Sequence, residues 1–263
     1  MTSELDADTA VEEVAPGRFR AWITDRWNLG AAPNGGYLSM IATRAITASL
    51  SHPDPFSVTT HFLRMAKPGE AFVEVERVRD GKHHATVEAR LIQDGAEILR
   101  TIAVLGDLTK IEGPTHVTLP APALSWDECT AGWPAPHLAA ISGRLEVRLA
   151  PGTTSWLDQT HSERAELGGW IRLQDGRAPD ALSLVFFADV LPPPVLNLSI
   201  VQTRWVPTLE LTVHVRARPS PGWLYAWFRT RALSRGYLES DGELWDSTGS
   251  LVAMSRQLAR LNR

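Results

Sequence analysis

Apolar and charged side chains alternate along Phe72-Val73-Glu74-Val75-Glu76-Arg77-Val78, the two-residue period of a strand with one wet face and one buried face. Asp80-Gly81 then supplies a turn. Ala85–Ile92 reads as a second strand, Asp94-Gly95 as a second turn, and Ile98–Leu105 as a third strand. With Phe56–Leu63 before them, these segments predict an antiparallel meander of four strands. The pattern returns near the C-terminus. Leu209–Val215, Trp223–Leu233, Tyr237–Leu244 and Leu251–Leu261 read as a second set of strands.

Each set follows an apolar segment of helical character. The first runs from about Gly36 to Leu50, where Tyr37, Leu38, Ile41, Ala45, Ile46 and Ala48 cover much of the circumference. The second runs from Pro179 to Leu191. It opens on Pro-Asp, a good helix start, and stops against Pro192-Pro193-Pro194. Helices apolar on most sides are buried helices. The two strand sets align without a gap at first: His61 with His214, Pro68 with Pro221, and Gly69 with Gly222, each pair 153 positions apart (214 − 61 for the first). A shared strand order at a fixed offset reads as duplication. Arg18–Ile23, Leu145–Leu149 and Gly168–Leu173 add earlier strands. The expected class is therefore α+β: two antiparallel sheets, each wrapped around a buried helix, joined into one continuous sheet. This is the hotdog plan, doubled. Expected boundaries are an N-terminal module over 1–110, a linker over 111–137 and a C-terminal module over 138–263. The linker holds Pro114, Pro120, Pro122, Pro134 and Pro136.

Composition narrows the function classes. The chain of 263 residues is 44% hydrophobic and 21% charged, an ordinary globular balance. A net charge of −4 offers no basic excess for nucleic acid. Cys129 is the single cysteine, so no intrachain disulfide forms, which suits the cytoplasm. It has no histidine beside it and reads as an unreactive thiol. The start, Met1-Thr2-Ser3-Glu4-Leu5-Asp6, has neither the positive charge nor the apolar core of a signal peptide. No apolar run approaches the roughly 20 residues of a membrane-spanning helix. The eight histidines, His83-His84 included, form no HExxH or Cys/His cluster, so no metal is expected. A G-x-S-x-G nucleophile elbow and a Gly-rich phosphate loop are both absent from the sequence. Eight of the ten tryptophans, Trp133 among them, lie in the linker or second half. Packing in the core or at a subunit interface accounts for them before any role in lining an acyl tunnel does.

The first half carries Asn34-Gly35-Gly36-Tyr37 at a helix start, His52-Pro53-Asp54-Pro55, His61-Phe62-Leu63-Arg64, Pro68-Gly69, Val78-Arg79-Asp80-Gly81 and Gln93-Asp94-Gly95. The second half carries Phe187-Ala188-Asp189, Pro207-Thr208-Leu209-Glu210-Leu211-Thr212 and Val252–Gln257. In order and spacing this set resembles the TesB-like acyl-CoA thioesterase family (acyl-CoA thioesterase II), over roughly two thirds of the chain. The resemblance implies a double hotdog that hydrolyses an acyl-CoA to free acid and CoA with an activated water. It implies no cofactor, a place in fatty acid metabolism, and a homodimer or higher homo-oligomer. It also implies a catalytic set of Asp189, Thr208 and Gln257.

The residues bear on that expectation separately. Asp189 is the only charge in its apolar helix after the first turn. A buried carboxylate must be paired, hydrogen-bonded or protonated, and its raised pKa suits a general base. The plainer alternative is an Asp capping the loop at the helix end, although a helix C-terminus is a poor place for negative charge. Gln257 shares a strand face with Ala253 and Ser255, which leaves room beside its amide. An edge-strand glutamine would look the same. Thr208 presents a conflict: strict alternation puts it with Glu210, Thr212 and His214 on a solvent face, and Thr212 or Glu210 would replace it if it points away. Gly35 and Gly36 open a helix, where free N–H groups of Gly36 and Tyr37 can face Asp189 and hold an oxyanion. Close helix packing explains the same glycines. Two other functions share the fold: a non-catalytic acyl-binding or scaffold module, and an enoyl-CoA hydratase or dehydratase, whose Asp works with a His that has no counterpart near the second helix.

Overall fold

The computed structural model describes residues 3–118, 125–132, 139–157, 160–203 and 205–262. Pro120, Pro122, Trp133, Pro134 and Pro136 lie outside the described residues. The first half opens with helix α1 (Glu4–Asp8) and strands β1 (Val11–Ala15) and β2 (Arg18–Ile23). The two-residue strands β3 (Asn28–Leu29) and β4 (Ala32–Pro33) lead into helix α2 (Gly35–Ala48). Strands β5 (Asp54–Phe62), β6 (Gly69–Asp80), β7 (Ala85–Gln93) and β8 (Ala96–Gly106) follow. Within the stretch expected as linker, β9 (Thr130–Ala131) pairs with β10 (Leu145–Leu149). The second half continues through β11 (Glu166–Leu173), helix α3 (Ser183–Phe187), β12 (Thr208–Val215), β13 (Leu224–Arg229), β14 (Leu233–Ser234), β15 (Tyr237–Trp245) and β16 (Leu251–Arg260).

Among the described residues, one sheet runs in the order β1-β2-β6-β7-β8-β5-β12-β16-β15-β13-β11-β10-β9, with β14 beside β15. The two halves join edge to edge at β5 and β12, so the double hotdog forms one continuous sheet. The four-strand meander needs correcting, because only β6, β7 and β8 run side by side in chain order. β5 lies beyond β8 against the other half, and β12 likewise lies beyond β16. Crossing over in this way puts each half's first central strand on the seam.

Local chemistry accounts for the turns. Asp94 and Gly95 both have positive φ (51° and 76°), as a two-residue type I′ hairpin between β7 and β8 requires. Arg235 and Gly236 do the same (51° and 85°) between β14 and β15. That turn ends the strand expected over Trp223–Leu233, which splits into β13 and β14. Inner faces follow the alternation: Ala85, Val87, Ala89 and Leu91 of β7 are buried against α2.

Helix α2 is buried nearly all round and is capped by Asn34, whose Oδ1 accepts the Tyr37 N–H at 2.9 Å. The second helix is shorter than the expected span from Pro179 to Leu191. Asp180 and Ser183 bond reciprocally across the turn that leads into it (Ser183 N–H to Asp180 Oδ1, 2.7 Å; Asp180 N–H to Ser183 Oγ, 2.8 Å). It tightens at once beyond Phe187, where the Asp189 N–H reaches back to the Phe186 carbonyl. The following prolines cannot continue a helical ladder. A second short turn, Pro194–Asn197, fills the remaining space.

Two contacts reveal the duplication in space. Thr59 Oγ1 and Thr212 Oγ1 lie 2.9 Å apart on the seam, and the Gly36 N–H reaches Asp189 Oδ2 at 2.9 Å; both pairs are separated by 153 positions. Only residues beside a twofold axis touch their own mates. A pseudo-twofold axis therefore crosses the β5–β12 seam and passes between the start of α2 and the turn after α3. No helix of the described residues is long and apolar enough to cross a membrane.

Candidate active site

The site forms on that axis, from both halves. Asp189 stands in the tight turn after α3 and faces the first turn of α2. Its Oδ2 accepts from the Gly36 N–H at 2.9 Å and from Asn34 Nδ2 at 3.2 Å; its Oδ1 accepts from Gln257 Nε2 at 3.1 Å. Gln257 Nε2 also donates to Thr208 Oγ1. Asp189, Thr208 and Gln257 thus meet in one hydrogen-bonded cluster, although 49 and 68 positions separate Gln257 from the other two.

A β-bulge resolves the conflict over Thr208. Between β12 and β16 the register runs Thr208 to Ala259, then Glu210 to Leu258, so Leu209 is the extra residue. One inserted residue resets the alternation. Thr208 consequently shares the inner face with Ala259 and Gln257, while Glu210 and Thr212 face outward with Thr59. Gln257 sits opposite buried Leu211, with its neighbours Ala253 and Ala259 also buried.

Two opposing influences act on the Asp189 carboxylate. Burial raises its pKa, and the N–H groups of Gly36 and Gly35, the Asn34 amide and the Gln257 amide lower it. Burial wins, and the pKa is pushed up to about 6. Among the described residues every hydrogen-bonding neighbour is uncharged, so none of them pins the group as an anion and it can exchange a proton near neutrality.

The glycines leave room that no other residue leaves. A Cβ on Gly36 would lie 2.6 Å from the Phe186 carbonyl oxygen and 3.0 Å from Asp189 Cβ. A Cβ on Gly35 would lie 2.9 Å from Asp189 Oδ2 and 3.0 Å from the Phe62 ring. Phe62 of β5 therefore also packs close to Gly35.

Tyr37 is not brought to the site. Its N–H is held by Asn34 Oδ1. Its hydroxyl donates to the Asp8 carbonyl at 2.9 Å and accepts from the Thr24 N–H at 3.2 Å, deep in the core, and burial pushes its pKa up to about 12. Asn34 is a partner of Asp189 that sequence reasoning did not single out. Asn34 stood in the helix-start motif, but nothing in its type distinguishes a simple cap from a residue that also reaches across the axis.

The duplication explains why, among the described residues, the cluster is not repeated on the other side of this axis. At the 153-residue spacing, Asp189 and Thr208 have Gly36 and Pro55 as mates. β5 carries its own bulge between Pro55 and Ser57, matching that of β12. Gln257 lies across from Leu211, and the mate of Leu211, Val58, lies across from Ala103. The mirrored positions Gly36, Pro55 and Ala103 carry no titratable side chain. Among the described residues no group of three or more His, Cys, Asp or Glu is placed to hold a metal ion. Cys129 is buried away from the site, with its thiol pKa raised by burial.

A double hotdog with a polar cluster across its pseudo-twofold axis is a scaffold that several functions share, and comparison with known proteins specifies the class. The family model for the acyl-CoA thioesterase C-terminal domain matches residues 115–261, more than half of the chain, and that for the N-terminal domain matches residues 23–106. A crystal structure of a candidate thioesterase II from Thermobifida fusca is 32% identical, with a TM-score of 0.90 over 99% of this chain and 98% of the other. An acyl-CoA thioesterase II from Mycobacterium marinum shares the fold at 17% identity (TM-score 0.75, 98% of each chain). A thioesterase-like protein of Talaromyces wortmannii is 23% identical over 96% of this chain and 90% of its own length. The chain belongs to the acyl-CoA thioesterase family, and its enzyme class is thioester hydrolase.

Proposed function

We propose that the enzyme hydrolyses an acyl-CoA by general-base attack of water, with Asp189 as the base and Thr208 and Gln257 orienting the water. The observation that carries this is the hydrogen-bonded chain from the Asp189 carboxylate, its pKa pushed up to about 6 by burial, through Gln257 to Thr208. Oδ2 is occupied by two donors and Oδ1 by one, so Oδ1 keeps the free lone pair. A water held by Oδ1 and the Thr208 hydroxyl gives its proton to Oδ1 as its oxygen bonds to the thioester carbon. The carbonyl oxygen becomes an oxyanion. Protonation of Asp189 weakens its hold on the α2 N–H groups, so those of Gly35 and Gly36 are released toward the oxyanion as charge develops there. Collapse breaks the carbon–sulfur bond, and the thiolate of CoA takes the proton from Asp189. Tyr37, whose N–H is committed to the cap, has no part in this scheme. The same reading keeps the modules at 1–110 and 138–263 about the linker, and expects a homodimer or higher homo-oligomer.

The test is release of free thiol from a panel of short, medium and long acyl-CoAs, followed against pH. Because the ionised form is the base, kcat/KM is expected to fall as pH drops through about 6 and to be level above it. An enzyme equally active at pH 5 and pH 8 would remove Asp189 from this role. Absence of turnover on every substrate would favour the acyl-binding module instead. Gln257→Ala is expected to lower kcat by roughly tenfold to a hundredfold with the fold intact, as loss of an orienting group does. Unchanged kcat in that variant would place the water elsewhere.

A further inference from the structure

Asn34 makes more contacts than a helix cap needs. It is 1% exposed. Its Oδ1 accepts the Tyr37 N–H at 2.9 Å, and this fixes the amide orientation, since only an oxygen can accept there. Nδ2 is therefore turned toward Asp189 and donates twice, to its main-chain carbonyl at 2.7 Å and to Oδ2 at 3.2 Å. The main-chain groups are also used: the Asn34 N–H donates to the Trp27 carbonyl at 3.0 Å, and its own carbonyl accepts from the Leu38 N–H at 3.1 Å. One side chain thus starts the helix of the first half and clamps the carboxylate supplied by the second.

Asn, Asp, Ser and Thr are all good N-caps. Capping alone does not choose among them. Asp would cap equally well but would turn an anionic oxygen toward Oδ2. Ser and Thr would cap, but neither has a second donor at the position of Nδ2. Gln would carry the donor too far from the cap. Asn alone combines the acceptor that the helix needs with the donor that Asp189 needs.

We infer that Asn34 is a positioning residue: by filling Oδ2 and holding the Asp189 main chain, it leaves Oδ1 as the single reactive oxygen facing Thr208 and Gln257. The inference rests on Asp189 being the general base. The elements packed around the carboxylate present Asn34, Gly35 and Gly36 from α2, Phe62 from β5, Thr208 from β12 and Gln257 from β16. None of these titrates near neutrality, so the response of Asp189 to pH follows from its burial set against its own hydrogen bonds.

The experiment compares wild type, Asn34→Ser, Asn34→Asp and Asp189→Asn by thiol release from an acyl-CoA turned over by the wild type, with kcat and KM measured across pH and Tm alongside. Asn34→Ser keeps a capping oxygen but leaves the Asp189 carbonyl without its Nδ2 donor, so Tm should fall modestly with the enzyme still folded. Its kcat should fall roughly 10- to 100-fold, the scale of a misplaced reacting group, with KM little changed. The acidic limb of its kcat/KM profile should move to higher pH, because a donor that favours the ionised carboxylate is gone. Asn34→Asp keeps both shape and cap. It should shift that limb further upward, and activity should recover in part at alkaline pH. A pH profile for Asn34→Ser that overlays the wild type, with only Tm lowered, would reduce Asn34 to a helix cap and overturn the inference. So would an Asn34→Asp enzyme with wild-type kcat at pH 7. If Asp189→Asn is inactive in the same series, that failure belongs to Asn34 alone. If Asp189→Asn turns over normally, the base assignment itself falls and the inference goes with it.

Discussion

Asp189→Asn is expected to lower kcat by roughly two to four orders of magnitude, the usual cost of losing a general base. The substitution keeps the size of the side chain. Its oxygen can still accept from the Gly36 N–H and from Asn34 Nδ2, at the position of Oδ2. Its new amide nitrogen then faces Gln257, whose own amide can turn its oxygen inward while the Thr208 hydroxyl donates to it. The cluster stays hydrogen-bonded, and only the capacity to take a proton is lost. A variant that retains wild-type kcat across the substrate panel would show that the reaction is driven from another residue.

The same variant carries a stability prediction of opposite sign. The pKa of Asp189 is raised in the folded chain, from 3.8 to about 6. Its contribution to folding is therefore full below about pH 4 and is lost as pH rises through about 6. At neutral pH the wild type folds around an ionised carboxylate that burial disfavours. A shift of about two units corresponds to at most about 3 kcal/mol, and the partial exposure of the residue makes the realised value smaller. Asp189→Asn should accordingly be more stable than wild type at pH 7 and about equally stable at pH 4, by urea unfolding at the two pH values. An equal or lower stability at pH 7 would mean that the hydrogen bonds, not burial, dominate at this residue.

This trade also explains which parts of the molecule were legible in the sequence. Alternation along β6, β7 and β8 is dictated by a sheet with one wet face, so those strands could be read directly. The 153-residue offset was legible for the same reason, since both halves repeat one pattern of buried positions. Pairing partners across the seam were not legible. β5 alternates equally well beside β6 or beside β8, and only the path over α2 sends it to the far side. Asp189 stood out because a lone carboxylate in an apolar segment has an energetic cost that function can offset. Thr208 did not, because its orientation depends on one bulge at Leu209, and a bulge leaves no compositional trace. The end of α3 was overestimated because apolar residues continue past Phe187, while the chain had already tightened its turn ahead of the prolines. Asn34 was missed because its second role depends on a residue 155 positions away.

Gly36→Ala carries the other large expected effect, and helix propensity points the wrong way for it. Alanine is preferred over glycine inside a helix by about 1 kcal/mol, and Gly36 has no positive φ that would forbid a side chain. By propensity alone the variant should be stabilised. The packing decides otherwise. The added methyl would sit 2.6 Å from the main-chain oxygen of Phe186 and 3.0 Å from Asp189 Cβ, on backbone and Cβ atoms that cannot rotate away. Relief requires the start of α2 to move off the turn after α3, which lengthens the Gly36 N–H bond to Oδ2. Overpacking of this kind costs about 1–3 kcal/mol, and loss of alignment at the reacting carboxylate costs on the order of a hundredfold in kcat. Gly35→Ala is the comparison. Its methyl meets the Asp189 carboxylate oxygen and the Phe62 ring, both side-chain atoms. It should perturb activity while costing less stability than Gly36→Ala. Urea unfolding and kcat on the two variants separate these cases. A Gly36→Ala enzyme that is both more stable and fully active would mean that the close approach of the two halves is dispensable, and with it the placement of the site on the pseudo-twofold axis.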